Sequence, residues 1–232
     1  MSSINIYHGS DHIIEKPDIN IGNEHNDYGR GFYCTRSAKM AGEWACKQNT
    51  DGFVNGYLLD CDSLNVLNLM DGSYTVLNWI ALLLKNRTFK LKTEIAIDSR
   101  DYIIKNFSID LTDYDVIIGY RADDSYFQYA DSFVSNGLPL RSLNKALKLG
   151  ELGEQTVLIS QKAFDRIKFV NALQAEKDIY YPKFLSRDIN ARETYRHEIK
   201  KSISYKDDIF VMDILREELK NDDPRIQRII SE

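Results

Sequence analysis

Apolar positions along the chain recur with two periods, and each change of period marks a change of element. Alternation rich in β-branched and aromatic residues predicts strands over 4–7, 31–35, 56–60, 66–69, 115–119, 155–160 and 167–172. Apolar residues spaced three or four apart predict helices over 37–48, 74–84, 125–135 and 140–149, the last following Pro139. The strand spacing does not repeat as a parallel β-α-β series would, so the expected class is α+β. From residue 176 the texture becomes charged and helical, in "FLSRDINARETYRHEIKK" and "DDIFVMDILREELKN". Asp188 with Arg192 and Glu193 with His197 are spaced i,i+4, as on a solvated helix face. The expected organisation is a main body over 1–175 and a C-terminal helical extension over 176–232, fraying near "DDPRIQRIISE".

Composition narrows the function classes. A chain of 232 residues with 43% apolar and 28% charged residues is expected to bury a sizeable core. The net charge of −5, from 30 basic and 35 acidic residues, argues against a broadly basic surface for nucleic acid. The start "MSSINIYHGS" lacks the features of a secretion signal, and the longest apolar run, "VLNWIALLL", is too short to span a bilayer. The expectation is a cytoplasmic protein with no membrane partner. Cys34, Cys46 and Cys61 form no C-x-x-C pair and are expected as free thiols.

Several motifs fail on inspection. "GRGFYC" begins as a dinucleotide fingerprint, but Cys34 stands where the third glycine belongs, and the glycines precede a strand. No phosphate-binding G-x-x-x-x-G-K-[ST] occurs. His8 and His12 would align on a helix for a metal, but Gly9-Ser10 between them opposes a helix, so no metal is expected.

Two segments carry chemistry. "YHGS" places His8 at the end of the first predicted strand, before Gly9 and Ser10. "NDYGRGFYCTRSAKMAGEWA" delivers Tyr33 on a short strand and Trp44 eleven residues later on a helix. Both aromatics fit a core; they also fit a slot for a flat ligand whose edge Gly31 lets approach the backbone. Together with "YDVIIGYRADD" and "EQTVLIS", these segments resemble the ADP-ribosyltransferase superfamily of the diphtheria-toxin and poly(ADP-ribose) polymerase branch. The resemblance covers about residues 4 to 173 and is greatest to an uncharacterised bacterial family often encoded beside a small partner as a candidate toxin-antitoxin pair.

The resemblance implies an ADP-ribosyltransferase-like split sheet gripping NAD through a His-Tyr-Glu set on three strands. It implies that His8 holds a ribose hydroxyl, that the Gly9 backbone meets the nicotinamide carboxamide, and that Tyr33 and Trp44 sandwich the ring. Ala41 stands where a carboxamide-binding serine often lies, leaving Ser10 or Ser37 to compensate, and Arg30 is placed to reach the pyrophosphate. Glu154 and Gln155 compete for the late-strand position. Adjacent strand residues point to opposite faces, so only one enters the pocket, and Glu154 is favoured. Asp123 and Asp124 fit the target-facing mouth of the cleft, although for Asp124 a helix N-cap is the favoured reading. The expected activity is mono-ADP-ribosyl transfer from NAD, without metal, to an intracellular protein or nucleic-acid target, as a toxin restrained by a small antitoxin. NAD hydrolysis and a catalytically inactive NAD- or ADP-ribose-binding module are the alternatives.

Overall fold

The computed structural model describes residues 3–122, 124–149, 153–202 and 207–231. It begins with β1 (Ser3–Ser10), β2 (Phe32–Cys34), α1 (Ala38–Ala45), β3 (Gly52–Asp60), β4 (Val66–Asn68), α2 (Val76–Asn86), α3 (Glu94–Phe107) and β5 (Val116–Tyr120). There follow α4 (Asp124–Val134), α5 (Leu140–Leu149), β6 (Glu154–Leu158), α6 (Gln161–Phe164), β7 (Ile167–Ala175), α7 (Lys177–Ser202), α8 (Val211–Arg216) and α9 (Pro224–Ser231). The class is α+β, as the irregular alternation predicts.

Two open sheets carry the strands. One is antiparallel in the order β1-β3-β7; the other runs β2-β6-β5-β4 and is parallel only between β4 and β5. A backbone bridge joins their edges, Tyr7 N–H donating to Thr35 O at 2.8 Å and Thr35 N–H to Tyr7 O at 2.9 Å. Ile6, Tyr57 and Leu59 of the first sheet pack with Phe32, Cys34, Val116 and Leu158 of the second in one apolar layer. The opposite face of the second sheet, through Leu67, Ile117 and Val157, packs under the helices in a larger core. Both faces of β6 are therefore buried.

Local chemistry explains the helices that frame the site. The Ser37 hydroxyl accepts from Met40 N–H at 3.2 Å and starts α1. α1 then lies directly on β1: a Cβ on Gly9 would fall 2.0 Å from Ala41 O, which only glycine allows. α2 is buried from Val76 to Leu84, and the Asn78 side chain closes its start by accepting from Thr75 N–H at 2.9 Å.

The C-terminal segment differs from expectation at its end. Ile226 and Ile229, three apart on α9, are fully buried and belong to the same core as α2. Asn144 ties the segment down by donating from Nδ2 to Ile229 O at 3.1 Å. The predicted fraying is overturned because two isoleucines in a polar run suffice to bury one face of a short helix.

Candidate functional site

A cleft of about 550 Å³ opens beside the joint between the sheets, a size suited to a small organic ligand. β1 delivers His8, β2 delivers Phe32 and Tyr33, α1 delivers Trp44 and β6 delivers Gln155, all to its lining. Gly31 lines it as well; a Cβ there would lie 2.7 Å from Leu158 O, so glycine is what lets the turn lie against β6.

His8 is held in one tautomer. Its Nδ1 lies 2.7 Å from Tyr33 O, and because a carbonyl only accepts, Nδ1 carries the proton and Nε2 keeps its lone pair. Burial pushes the His8 pKa below the ordinary histidine value, with His12 adding a smaller effect in the same direction against the raising effect of the Tyr33 carbonyl. The ring stacks on Phe32 at 4.5 Å between centroids. Neutral His8 can thus accept a hydrogen bond from a hydroxyl.

Tyr33 offers its ring and not its hydroxyl. The hydroxyl donates to Gly29 O at 2.7 Å and accepts from Tyr28 N–H at 3.0 Å, closing the glycine turn on itself. Burial raises its pKa far above the usual tyrosine value, so it stays protonated. Trp44 is half-buried, and the guanidinium of Arg121 lies over its indole, 4.6 Å from the ring centroid. The indole Nε1 is buried without a hydrogen-bond partner, as is Oε1 of Gln155.

The late strand presents the amide. Gln155 is buried and lines the cleft, whereas Glu154 does not line it and turns to the opposite face beside Thr156, whose Oγ1 lies 3.5 Å away. The expectation that Glu154 supplies an acid to the pocket is corrected by strand alternation: β6 pairs Gln155 with Gly119 and Glu154 with Tyr120, and Gln155 shares the face of Val157 toward the helices.

Other expected residues lie elsewhere. Gly9 is consumed by the contact with α1 and does not line the cleft. The Ser10 hydroxyl donates to His12 O at 2.5 Å and accepts from Asn55 Nδ2 at 2.9 Å, outside the lining. Arg30 is exposed and paired with Glu24. Asp123 lies outside the described residues, as does the side chain of Asp124, the first residue of α4.

Sequence reasoning did not find seven contributors. Asp27, nearly fully buried, lines the cleft and accepts from Ala122 N–H at 2.9 Å, with Arg87 at 3.4 Å. Lys16, Arg87 and Arg121 supply positive charge to the lining in place of Arg30. From α7 come Phe184 and Asp188, and a buried ion pair between Arg187 and Glu43 at 2.9 Å fastens that helix to α1. Asn55, fully buried, fixes the exit of β1 by donating to Ser10 Oγ and accepting from Ile14 N–H at 2.9 Å. Only the proximity of Asp27 to "GRGFY" and of Arg121 to the end of β5 gave a sequence signal.

Among the described residues no group of three or more His, Cys, Asp or Glu side chains is placed to hold a metal, and no helix is long and apolar enough to cross a membrane. Residues 4–169 match the model of a family described as "Protein of unknown function (DUF3990)". No curated protein and no solved structure matches the chain. The matched span ends within β7, so α7 and its cleft residues lie beyond it.

Proposed function

The chain belongs to the DUF3990 family, and we propose that it binds NAD in this cleft and transfers ADP-ribose from it to a macromolecular target. One observation carries the reading: a neutral histidine with a free acceptor nitrogen, two aromatic rings and an amide converge on one cleft from β1, β2, α1 and β6. The fold in this reading is an ADP-ribosyltransferase-like split sheet. His8 Nε2 accepts from a ribose hydroxyl, and Tyr33 and Trp44 offer faces to the nicotinamide ring. The bond from ribose C1′ to the ring nitrogen breaks, nicotinamide leaves neutral with the electron pair, and C1′ becomes part of an oxocarbenium ion. A nucleophile on the target then attacks C1′ and loses its proton. The Gln155 carbonyl oxygen and the Asp27 carboxylate are among the groups lining the cleft that can oppose the cation.

A cytoplasmic toxin restrained by a small antitoxin is the setting this reading favours. The presence of Gln155 where a carboxylate was expected supports a second reading, a binding module that holds NAD or ADP-ribose without turning it over. Incubating the purified protein with radiolabelled NAD and cell lysate separates them. Label on protein or nucleic acid is the outcome expected of transfer. Free ADP-ribose alone would mean hydrolysis, and binding without either product would favour the module. No NAD binding would remove all three.

A further inference from the structure

The most informative contact in the cleft is one the protein makes with itself. Arg121 lays a planar, delocalised cation on the face of Trp44, 4.6 Å from the ring centroid. Both residues line the cleft together with Gln155. In this arrangement two polar atoms of the same lining go unsatisfied: the donor Trp44 Nε1 and the acceptor Gln155 Oε1 are buried with no hydrogen-bond partner. Gln155 is more than nine-tenths buried, at 5% exposure, so its carbonyl has no recourse to solvent. Unpaired buried groups of this kind are costly, and they are satisfied when a ligand supplies the missing donor and acceptor.

We propose that the face of Trp44 is a planar-cation site, covered in this structure by the Arg121 guanidinium, which a heteroaromatic cation enters by displacing that side chain. Arg121 lies one residue past Tyr120, the last of β5, so moving its side chain breaks no ladder hydrogen bond of that strand. The incoming class is a flat ring bearing a delocalised positive charge and an amide, which offers an acceptor and a donor at its edge. A neutral ring of the same shape gains the stacking but not the attraction of charge to the indole face. Arg121 is therefore a specificity-determining residue: a ligand ring must displace its guanidinium from the indole face, and a cationic ring restores the attraction of charge to that face where a neutral one does not. This rests on the NAD reading above, since the oxidised nicotinamide ring is such a cation and the reduced ring is not.

The test titrates the full chain with 1-methylnicotinamide, a cationic ring without phosphates, and with ADP-ribose, which has the phosphates without the ring. Tryptophan fluorescence reports the first, because Trp79, the other of the two tryptophans, is buried in the core; calorimetry reports the second, and NAD itself. Arg121→Ala, with Arg121→Gln as a variant that keeps a longer stem, is expected to bind 1-methylnicotinamide about three- to tenfold more tightly than the unaltered protein. ADP-ribose binding is expected not to tighten. Equal or weaker 1-methylnicotinamide binding by either folded variant, or equal tightening for ADP-ribose, overturns the proposal while NAD binding by the unaltered protein leaves the parent reading standing. Absence of NAD and 1-methylnicotinamide binding by every form removes the parent reading itself.

Discussion

The two tryptophans meet consecutive residues at the end of the same strand and serve opposite ends. Trp79, on α2, is 1% exposed, donates its Nε1–H to Tyr120 O at 3.2 Å, and packs edge-on against the Tyr120 ring at 6.1 Å. Trp44, on α1, is half-buried, leaves Nε1 without a partner, and meets the Arg121 guanidinium. Helix presentation and residue type are the same; what differs is whether the surroundings complete the side chain's chemistry. Around α2 the protein satisfies every demand of the indole, which is how a core behaves. Around α1 it leaves the indole nitrogen without a partner on a side chain that lines a cleft, which is how a binding wall behaves.

The largest expected effect sharpens that contrast directly. Trp79→Ala removes a buried indole and one of two donors to the Tyr120 carbonyl, which keeps the Tyr28 hydroxyl at 2.6 Å, and is expected to cost about 3–5 kcal/mol of stability, read as a shift of the denaturant midpoint. Trp44→Ala is expected to cost at most about half as much, because less of its area is buried, while abolishing quenching by 1-methylnicotinamide. If the two substitutions destabilise equally and Trp44→Ala still binds NAD, Trp44 is core after all. Next in size is Tyr33→Phe. It keeps the ring but leaves Tyr28 N–H without its acceptor and Gly29 O without its donor, an expected loss of about 1–3 kcal/mol. NAD affinity should survive in the folded variant, since the hydroxyl faces the turn and not the ligand; loss of binding at unchanged stability would return a direct role to it.

A smaller effect tests His8 through pH. Its native pKa is lowered by burial, so the unfolded chain binds more protons than the folded one as the solution acidifies below the ordinary histidine value. The stability His8 contributes is fully present above about pH 6.5 and is lost as the pH falls toward the lowered native value. NAD affinity should fall in the same direction, because protonating Nε2 removes the acceptor. In His8→Gln the difference in melting temperature between pH 7.5 and pH 5 should shrink. An unchanged difference would assign the pH dependence to other groups.

The strands were legible because most bury one patterned face, and the class followed from their irregular spacing. What stayed illegible has specific causes. α3 buries Ala96, Ser99, Ile103 and Phe107, a helical stripe weakened for any reader by a small residue and a serine. β3 begins at Gly52, earlier than predicted, since a glycine and the buried polar Asn55 interrupt its alternation. In the site, His8, Tyr33 and Trp44 could be read from local motifs. The choice between Glu154 and Gln155 could not: Val157 and Leu158 are both fully buried, in different cores, so hydrophobicity marks neither face of β6 as the inner one. Asp27, Arg121 and Phe184 reach the cleft only through the fold, from segments that carry no common pattern.

The smallest expected effect separates two arginines that sequence alone ranks the wrong way. Arg30 lies inside the glycine-rich motif and was the expected contact for pyrophosphate, yet it is 43% exposed and paired with Glu24, itself 66% exposed. An ion pair of that kind contributes less than about 1 kcal/mol, and its position outside the lining gives a ligand no reason to meet it. Arg30→Ala is therefore expected to shift stability by less than about 1 kcal/mol and to leave NAD affinity within about twofold of the unaltered protein, under conditions where Arg121→Ala changes the affinity for 1-methylnicotinamide several-fold. A tenfold loss of NAD affinity in Arg30→Ala would mean that the glycine turn rearranges around the dinucleotide and carries Arg30 into the cleft. The open polar capacity beside Trp44 would then be only part of the wall that the bound ligand sees.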